Sequence, residues 1–377
     1  MSNSLRVAVV HDWLTAMGGA EYTLRQILAL FPGADVYTIV DTLPAEERGW
    51  LEGHRIFTSP LQKFPFLAKR YRYMIWMMPC WIEQFDLGGY DLIISDSHAV
   101  AKGVIVHPHQ KHLAYIYSPM RYAWDMTFEH DRLGVLGGGI KRALLRRWFH
   151  RFRIWDAASS LRPDRMIAIS GFIRSRVRKS WGREAEIIYP PVDVEACPFG
   201  AEKGEYYVSV SRLVPYKRVD LIVEAFRAMP EKKAMIIGSG PLYDDLSRNA
   251  PQNVTITGYM ERAKMLDAIA KAKGFIFMPR EDFGIAPVEA QACGTPVIAY
   301  GHGGASETVR GLDAEHPTGL FVQEQSAEAL IEAIETFENN YEKFNPEACR
   351  KWAERFSEHR FREEFKNSVE TLIKETI

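Results

Sequence analysis

Glu281 and Glu289 stand with seven residues between them in the stretch PREDFGIAPVEAQACGTPVIAYGHGGASETV, residues 279–309. Gly284, between Phe283 and Ile285, lets a ligand come close to the backbone. Pro287 suits the first turn of a helix, where a missing N–H costs nothing. The spacing predicts a strand over 274–278, a short loop carrying Glu281, and a helix to about Cys293 with Glu289 near its start. Unsatisfied N–H groups at such a start can receive an anion or a ring of hydroxyls. Two acceptor carboxylates beside those donors suit a phosphorylated polyol such as a nucleotide sugar.

Cations are also available. Arg212 and Lys217 lie five residues apart on a loop after a strand, in SRLVPYK, residues 211–217. A solvated surface pair would read the same way; a diphosphate that gains charge as a sugar bond breaks would use both. Gly18 and Gly19 follow the first strand and open a helix, which serves a tight turn or a phosphate equally. Gly238-Ser239-Gly240-Pro241 carries the same ambiguity. The latter reads more as a turn and cleft wall, and Gly18-Gly19 is not GxGxxG, which speaks against a dinucleotide oxidoreductase. His107, His109 and His112 read as a polar turn with no companion carboxylate, so no metal is expected.

These residues need strands and helices to hold them. Leu5–Val10, Val36–Val40, Leu92–Ile94, Leu113–Ile116 and Met166–Ile169 are short apolar runs separated by helical stretches. After Pro190-Pro191 the alternation restarts, with strands over 206–210, 234–237, 254–257, 274–278 and 296–299 and helices near 218–228, 261–272 and 284–293. Continuous apolar strands between helices mark parallel sheets covered on both faces, so the fold class is α/β with two doubly wound units. The length of 377 residues suits two domains, divided near residue 193. From about Pro346 the chain is charged and helical, with Phe356, Phe361, Phe365, Val369 and Leu372 at helical spacing. The four cysteines have no CxxC pair and read as reduced thiols of a cytoplasmic protein. The N-terminus runs straight into a strand, unlike a signal peptide, and no apolar run is long enough to span a membrane.

Five segments in order resemble the retaining glycosyltransferases of family 4. They are Gly18-Gly19-Ala20-Glu21, Ser95-Asp96-Ser97-His98, Tyr189-Pro190-Pro191-Val192-Asp193, the stretch Ser211–Lys217, and the segment holding Glu281 and Glu289. The resemblance implies the GT-B fold, two Rossmann-like doubly wound domains facing a cleft. Residues 1–193 would form the acceptor side, 194–357 would bind the donor, and a last helix at about 358–377 would cross back. It implies that His98 and Glu281 act on the transferred sugar and that Glu289 takes the ribose hydroxyls. Arg212, Lys217, Gly18 and Gly19 would hold the diphosphate, with Phe283, Gly284 and Ile285 at the donor. Gly258 and Tyr259 would border the nucleobase. No cofactor is implied, the nucleotide sugar being the donor substrate. No second catalytic carboxylate presents itself opposite Glu281, so double displacement is unsupported; the family implies same-face attack, with the diphosphate helping to take the acceptor proton.

The stretches 118–125 and 97–103 look most like the mannosyltransferases of bacterial surface polysaccharide assembly, which favours GDP-mannose over UDP-glucose and a lipid-linked saccharide as acceptor. A sugar-nucleotide epimerase or phosphorylase of this architecture, or a non-catalytic nucleotide-sugar binding module, are the rival readings. Charge is uneven: residues 1–193 hold 25 Lys and Arg against 19 Asp and Glu, and the remainder 22 against 29. Residues 141–183 alone hold 13 basic and two acidic residues, and no nucleic acid is expected as a partner. Over 141–155 the spacing puts Leu144, Leu145, Trp148, Phe149, Phe152 and Trp155 on one helical face and Arg142, Arg146, Arg147, His150 and Arg151 mostly on the other. Such a helix suits packing on its own domain, contact with an anionic membrane through 141–153, or both. Residues 62–81 also mix Lys and Arg with Phe, Tyr, Trp and Met. The expected location is the inner face of the cytoplasmic membrane.

Overall fold

The computed structural model describes residues 5–64, 66, 70–128 and 139–375. It divides into two compact units, Met1–Tyr189 with Phe361–Ile377, and Pro190–Arg360.

Unit 1 is built on strands β1 (Val7–His11), β2 (Asp35–Thr38), β3 (Ile56–Thr58), β4 (Leu92–Ser97), β5 (Lys111–Ile116), β6 (Arg165–Ala168) and β7 (Glu186–Ile187). They form one seven-stranded sheet in the order β3-β2-β1-β4-β5-β6-β7. Every pair is parallel. β1, β2 and β4 are buried at every position, as expected for a sheet covered on both faces. The apolar runs predict these central strands, whereas the short edge strands β3 and β7 have no such run and escape the pattern. The last helix, Glu358–Lys374, buries Phe361, Phe365, Val369 and Leu372. Phe361 meets Tyr115 of β5 at 5.7 Å between ring centroids. The charged stretch from Pro346 is not one helix: Pro346–Ala353 ends in a 3-10 turn, and Ser357 separates it from the last helix.

Unit 2 contains β8 (Tyr206–Val210), β9 (Lys233–Ile237), β10 (Val254–Gly258), β11 (Gly274–Phe277), β12 (Val297–Tyr300) and β13 (Gly319–Val322). Their order is β10-β9-β8-β11-β12-β13, again wholly parallel. Helices Val219–Ala228 and Ala327–Asn339 bury Ile222, Phe226, Leu330, Ile334 and Phe337 on this sheet. Side chains fix the helix starts: Ser326 accepts from Ala329 N and Asn345 from Ala348 N.

The basic helix is Gly139–Ser159. Phe149 and Phe152 are buried, but Leu144, expected on the packed face, is 62% exposed. The helix is fastened at its far end instead. Lys102, 1% exposed, puts Nζ 2.6 Å from Asp156 Oδ1. Asp156 Oδ2 accepts from Trp124 Nε1 at 2.7 Å and Trp181 Nε1 at 2.8 Å. The Lys102 ammonium lies 4.5 Å from the Trp181 ring centroid. Charges out of water tolerate burial only when paired and bonded in this way, and removing one partner of such a pair costs about 3–5 kcal/mol. Lys102→Met should therefore lower stability by about that much. Adding Asp156→Asn should restore part of the loss, because the stranded charge goes with it. Urea unfolding followed by tryptophan fluorescence reads both; a loss below about 1 kcal/mol for Lys102→Met would count against the assignment.

Candidate functional site

In unit 2 the residues of interest collect where the strand order reverses, at the carboxyl ends of β8 and β11 (a topological switch point). After β8 the chain turns through Ser211–Val214 into a 3-10 turn, Pro215–Lys217. Arg218 then takes φ +53°, the only positive φ on a non-glycine residue among the described residues. That residue caps both the turn and helix Val219–Ala228, so the helix starts two positions after Lys217. Lys217 Nζ pairs with the Glu281 carboxylate. Arg212 is exposed.

After β11, Glu281 lies on the loop and helix Ile285–Ala292 follows. Gly284 has φ +90°, a conformation that L side chains rarely adopt. Glu281 O accepts from Gly304 N at 2.8 Å, and a Cβ on Gly304 would lie 2.2 Å from Phe283 Cα. The glycine pair at 303–304 therefore lets a second backbone pass directly against the loop. Phe283, 3% exposed, packs its ring at 5.5 Å from Phe356. At that position both the ring and the backbone are covered, the ring by its packing and the main chain by Gly304. Ile285 is half-buried at the first helical position.

Glu289 sits in the same helix and is buried; its Oε1 accepts from Arg262 Nη1 at 2.6 Å. Burial pushes this carboxyl above the usual range, and Arg262 works against that. Arg262 begins helix Arg262–Ala270 and was not singled out by the sequence. Gly258 ends β10 with φ +75°, and Tyr259 beside it is 82% exposed.

Unit 1 assembles a second polar cluster at its own switch point, between β1 and β4. Asp12, fully buried, accepts backbone N–H groups from His98, Ala99, Val100 and Ala101 at 2.6–2.8 Å. One carboxylate thus shapes the whole loop after β4. The same Asp12 lies 3.2 Å from His98 Nδ1, and Trp13 meets the imidazole edge-on at 4.4 Å. His11, fully buried, places Nδ1 2.8 Å from Asp96 Oδ2 and Nε2 3.6 Å from Glu21 Oε1. Burial disfavours its charged form, but Asp96 and Glu21 outweigh that and raise its pKa to about 10. Burial likewise opposes the Glu21 carboxylate, yet His11 holds it below the usual range. Asp96 goes the other way, because its burial exceeds the pull of His11.

Gly18 and Gly19 open helix Gly19–Leu30 as expected. The group nearest to Gly18 is Glu21: a Cβ there would lie 3.1 Å from Glu21 Oε2. The sequence motifs give no role to His11, Asp12 or Glu21. The available signal was VVHD, a buried apolar strand running without a break into two polar residues. His112 needs correction: it lies in β5, not in a polar turn, and is fully buried with Nε2 2.6 Å from Ser95 Oγ. Burial lowers its pKa to about 3, so it stays neutral. Among the described residues no cluster of three or more His, Cys, Asp or Glu could hold a metal ion.

Comparison with known proteins follows the same division. Residues 17–196 match the family described as Glycosyltransferase Family 4, and residues 198–358 match Glycosyl transferases group 1. The chain belongs to the family 4 glycosyltransferases, and its fold is GT-B, with two Rossmann-like parallel-sheet units. It is 37% identical over 139 residues to the GDP-mannose-dependent monoacylated alpha-(1-6)-phosphatidylinositol monomannoside mannosyltransferase of Corynebacterium glutamicum, covering 33% of this chain and 35% of that protein. It is 30% identical over 202 residues to the GDP-mannose-dependent alpha-(1-6)-phosphatidylinositol monomannoside mannosyltransferase of Mycolicibacterium smegmatis, covering 45% and 52%. The chain thus spans about half the length, or less, of these two relatives. The crystal structure of Anabaena Alr3699/HepE in complex with UDP has a similar fold, with TM-score 0.70 and 17% identity over 97% of this chain and 100% of that one.

The His11 cluster makes a pH-dependent contribution to stability. A histidine whose pKa rises from 6.5 to about 10 on folding stabilises the fold fully below pH 6.5, and this stabilisation is lost as pH climbs towards 10. The His11→Gln variant should melt lower than wild type at pH 6.5, and the gap should narrow steadily to pH 10. Thermal melts at half-unit pH steps read the difference. A gap that stays constant over this window would show that His11 is not the titrating group.

Proposed function

We propose that the protein is a retaining hexosyltransferase that moves mannose from GDP-mannose to a lipid-linked saccharide in the assembly of a surface polysaccharide. The observation that carries this reading is the Lys217–Glu281 pair at the switch point of unit 2, eight residues before the buried Glu289. Both of its members have work on a nucleotide sugar. Lys217, with the exposed Arg212, supplies cations for the diphosphate, whose charge grows as the glycosidic bond breaks. Glu281 accepts from hydroxyls of the sugar once the phosphate has drawn Lys217 away. Glu289 accepts from the ribose, and the exposed Tyr259 beside Gly258 offers a face to the base. In unit 1, Asp12 holds the loop that carries His98, the residue assigned to the transferred sugar. The two GDP-mannose-dependent relatives favour that donor, and their acceptors favour a lipid-borne one.

A membrane-facing role for 141–153 is part of the proposal. Ile140 and Leu144 are exposed beside Lys141, Arg142, Arg146 and Arg147, so the start of this helix offers both apolar and cationic groups. Of the stretch 62–81, residues 65 and 67–69 lie outside the described residues; Phe64, Tyr73 and Trp76 are exposed. Among the described residues no helix is long and apolar enough to cross a membrane, so this contact would be peripheral.

Transfer from labelled GDP-mannose to a bacterial lipid extract tests the activity. Arg212→Ala and Lys217→Ala should each cut transfer about a hundredfold, since a charge-assisted hydrogen bond is worth about 1.5–3 kcal/mol. Glu281→Gln and His98→Ala should slow turnover but leave GDP affinity within about threefold, because GDP lacks the sugar they are assigned to. Near-normal turnover in Arg212→Ala would remove the diphosphate assignment. On the membrane side, wild-type protein should sediment with anionic vesicles at low salt and be released by high salt. Changing Arg142, Arg146, Arg147 and Arg151 together to glutamine should keep it in the supernatant. Binding that ignores lipid charge would leave 141–153 as a packed helix with a solvated face.

A further inference from the structure

Glu289 is the most buried of the carboxylates assigned to the donor, with its side chain 7% exposed. Its Oε1 is taken by Arg262 at 2.6 Å, while Oε2 makes no hydrogen bond to a described residue. Arg262 reaches it from a different element, the first position of helix Arg262–Ala270, and keeps 38% of its own side chain exposed. Arg262 therefore stays in partial contact with water while its guanidinium bonds one carboxylate oxygen.

We propose that Arg262 is a positioning residue of the nucleotide site, which keeps Glu289 charged and aimed so that its second oxygen accepts the ribose hydroxyls. The proposal rests on the reading of Glu289 as the ribose acceptor. Its chemistry is simple. An ionised carboxylate only accepts, and bonds from hydroxyls to it are charge-assisted; a protonated one has a proton of its own to place and accepts more weakly. Burial alone drives Glu289 towards the protonated form. Asp193, in the segment before β8, adds to that drive by like charge. On its own helix, one turn on, the Cys293 thiol is pushed far up and stays neutral. Arg262 is the cation that opposes this drive, and its hydrogen bond goes to Oε1.

Arg262 differs in its expected effect from the residues assigned to touch the donor. A residue that merely capped a helix would change stability and leave ribose recognition alone. A residue that bound phosphate would weaken all nucleotides equally. Arg262 should alter one ratio: the affinity for GDP over that for 2′,3′-dideoxy-GDP, which lacks the hydroxyls Glu289 is assigned to.

Titration calorimetry with these two nucleotides from pH 5.5 to 9 tests it. Wild type should prefer GDP by about tenfold or more, with little dependence on pH, as expected when hydroxyls meet a charged acceptor. In Arg262→Gln the preference should shrink at low pH and recover as pH rises, because the carboxyl without its cation ionises only at higher pH. Arg262→Lys should restore most of the preference at pH 6, and should be read alone if Arg262→Gln does not fold. Glu289→Gln should lose the preference at every pH, and adding Arg262→Gln to it should change nothing further. A preference in Arg262→Gln that matches wild type across the range would overturn the proposal. If wild type binds GDP with no preference over the dideoxy form, the ribose assignment of Glu289 falls and this proposal with it, leaving the transferase reading in place. If wild type binds neither GDP nor UDP, the nucleotide reading itself is wrong.

Discussion

A carboxylate that leaves water must find a cation or several N–H groups, and that requirement organises both units. Asp12 meets it with four backbone amides, Asp156 with Lys102 and two indole N–H groups, and Glu289 with Arg262. Asp96 and Glu21 meet it through one imidazole between them. Each solution ties together segments distant in sequence. Asp12 joins the end of β1 to the loop after β4, and Asp156 joins the basic helix to residue 102 and to helix Gly171–Trp181. The energetic logic is asymmetric: a satisfied buried charge adds little over an apolar substitute, but losing its partner costs several kcal/mol, on the order of 3–5. These groups therefore fix local geometry more than they add stability. In unit 1 they fix the loop that carries His98, and in unit 2 they tie helix Arg262–Ala270 to helix Ile285–Ala292.

Sheet topology decides where such groups can stand. In a wholly parallel sheet the crossovers on either side of a switch point leave in opposite directions, and the strand ends there stay uncovered by chain. β1 and β4 in unit 1, and β8 and β11 in unit 2, are those strands. What sits on them is largely backbone against backbone. In unit 2 the loop of Glu281 is crossed by Gly303 and Gly304 with no room for a side chain. A loop held by main-chain contacts has a fixed path, which leaves Glu281 and Lys217 as the parts that can respond to a ligand.

The central strands were legible because burial on both faces favours apolar runs, as in β1, β4, β5, β6, β8, β9, β11 and β12. β3, β7 and β13 were not. β3 and β7 are edge strands of two or three residues, too short to print a pattern, and β13, four residues long and opening on a glycine, is the edge strand of the second sheet. Among site residues, those in compact local motifs were legible: Glu281, Gly284 and Glu289 within nine positions, and Arg212 with Lys217 within six. Partners that meet only through the fold were not. Nothing local links Arg262 to Glu289, 27 positions away, or His11 to Asp96, 85 positions away. The exposed Leu144 shows the converse limit. Periodicity says which side chains share a face, but not how far along the helix that face stays covered.

Glu21 bears on what the glycine pair before it can do. A bare helix N-terminus with two glycines invites an anion through its free N–H groups and its dipole. Here a carboxylate already stands 3.1 Å from where a side chain of Gly18 would begin, and its charge is upheld by the imidazole of His11. A phosphate drawn to Gly18 and Gly19 would meet that carboxylate unless a proton or the His11 charge offset it. His11 is placed to do so, being shared between Glu21 above the sheet end and Asp96 on the neighbouring strand. The cluster keeps the local charge small without exposing any of its members to water. A glycine loop built this way suits a neutral, hydroxyl-rich group at least as well as a phosphate, while the cations of unit 2, Lys217 and Arg212, remain the stronger claimants for the diphosphate.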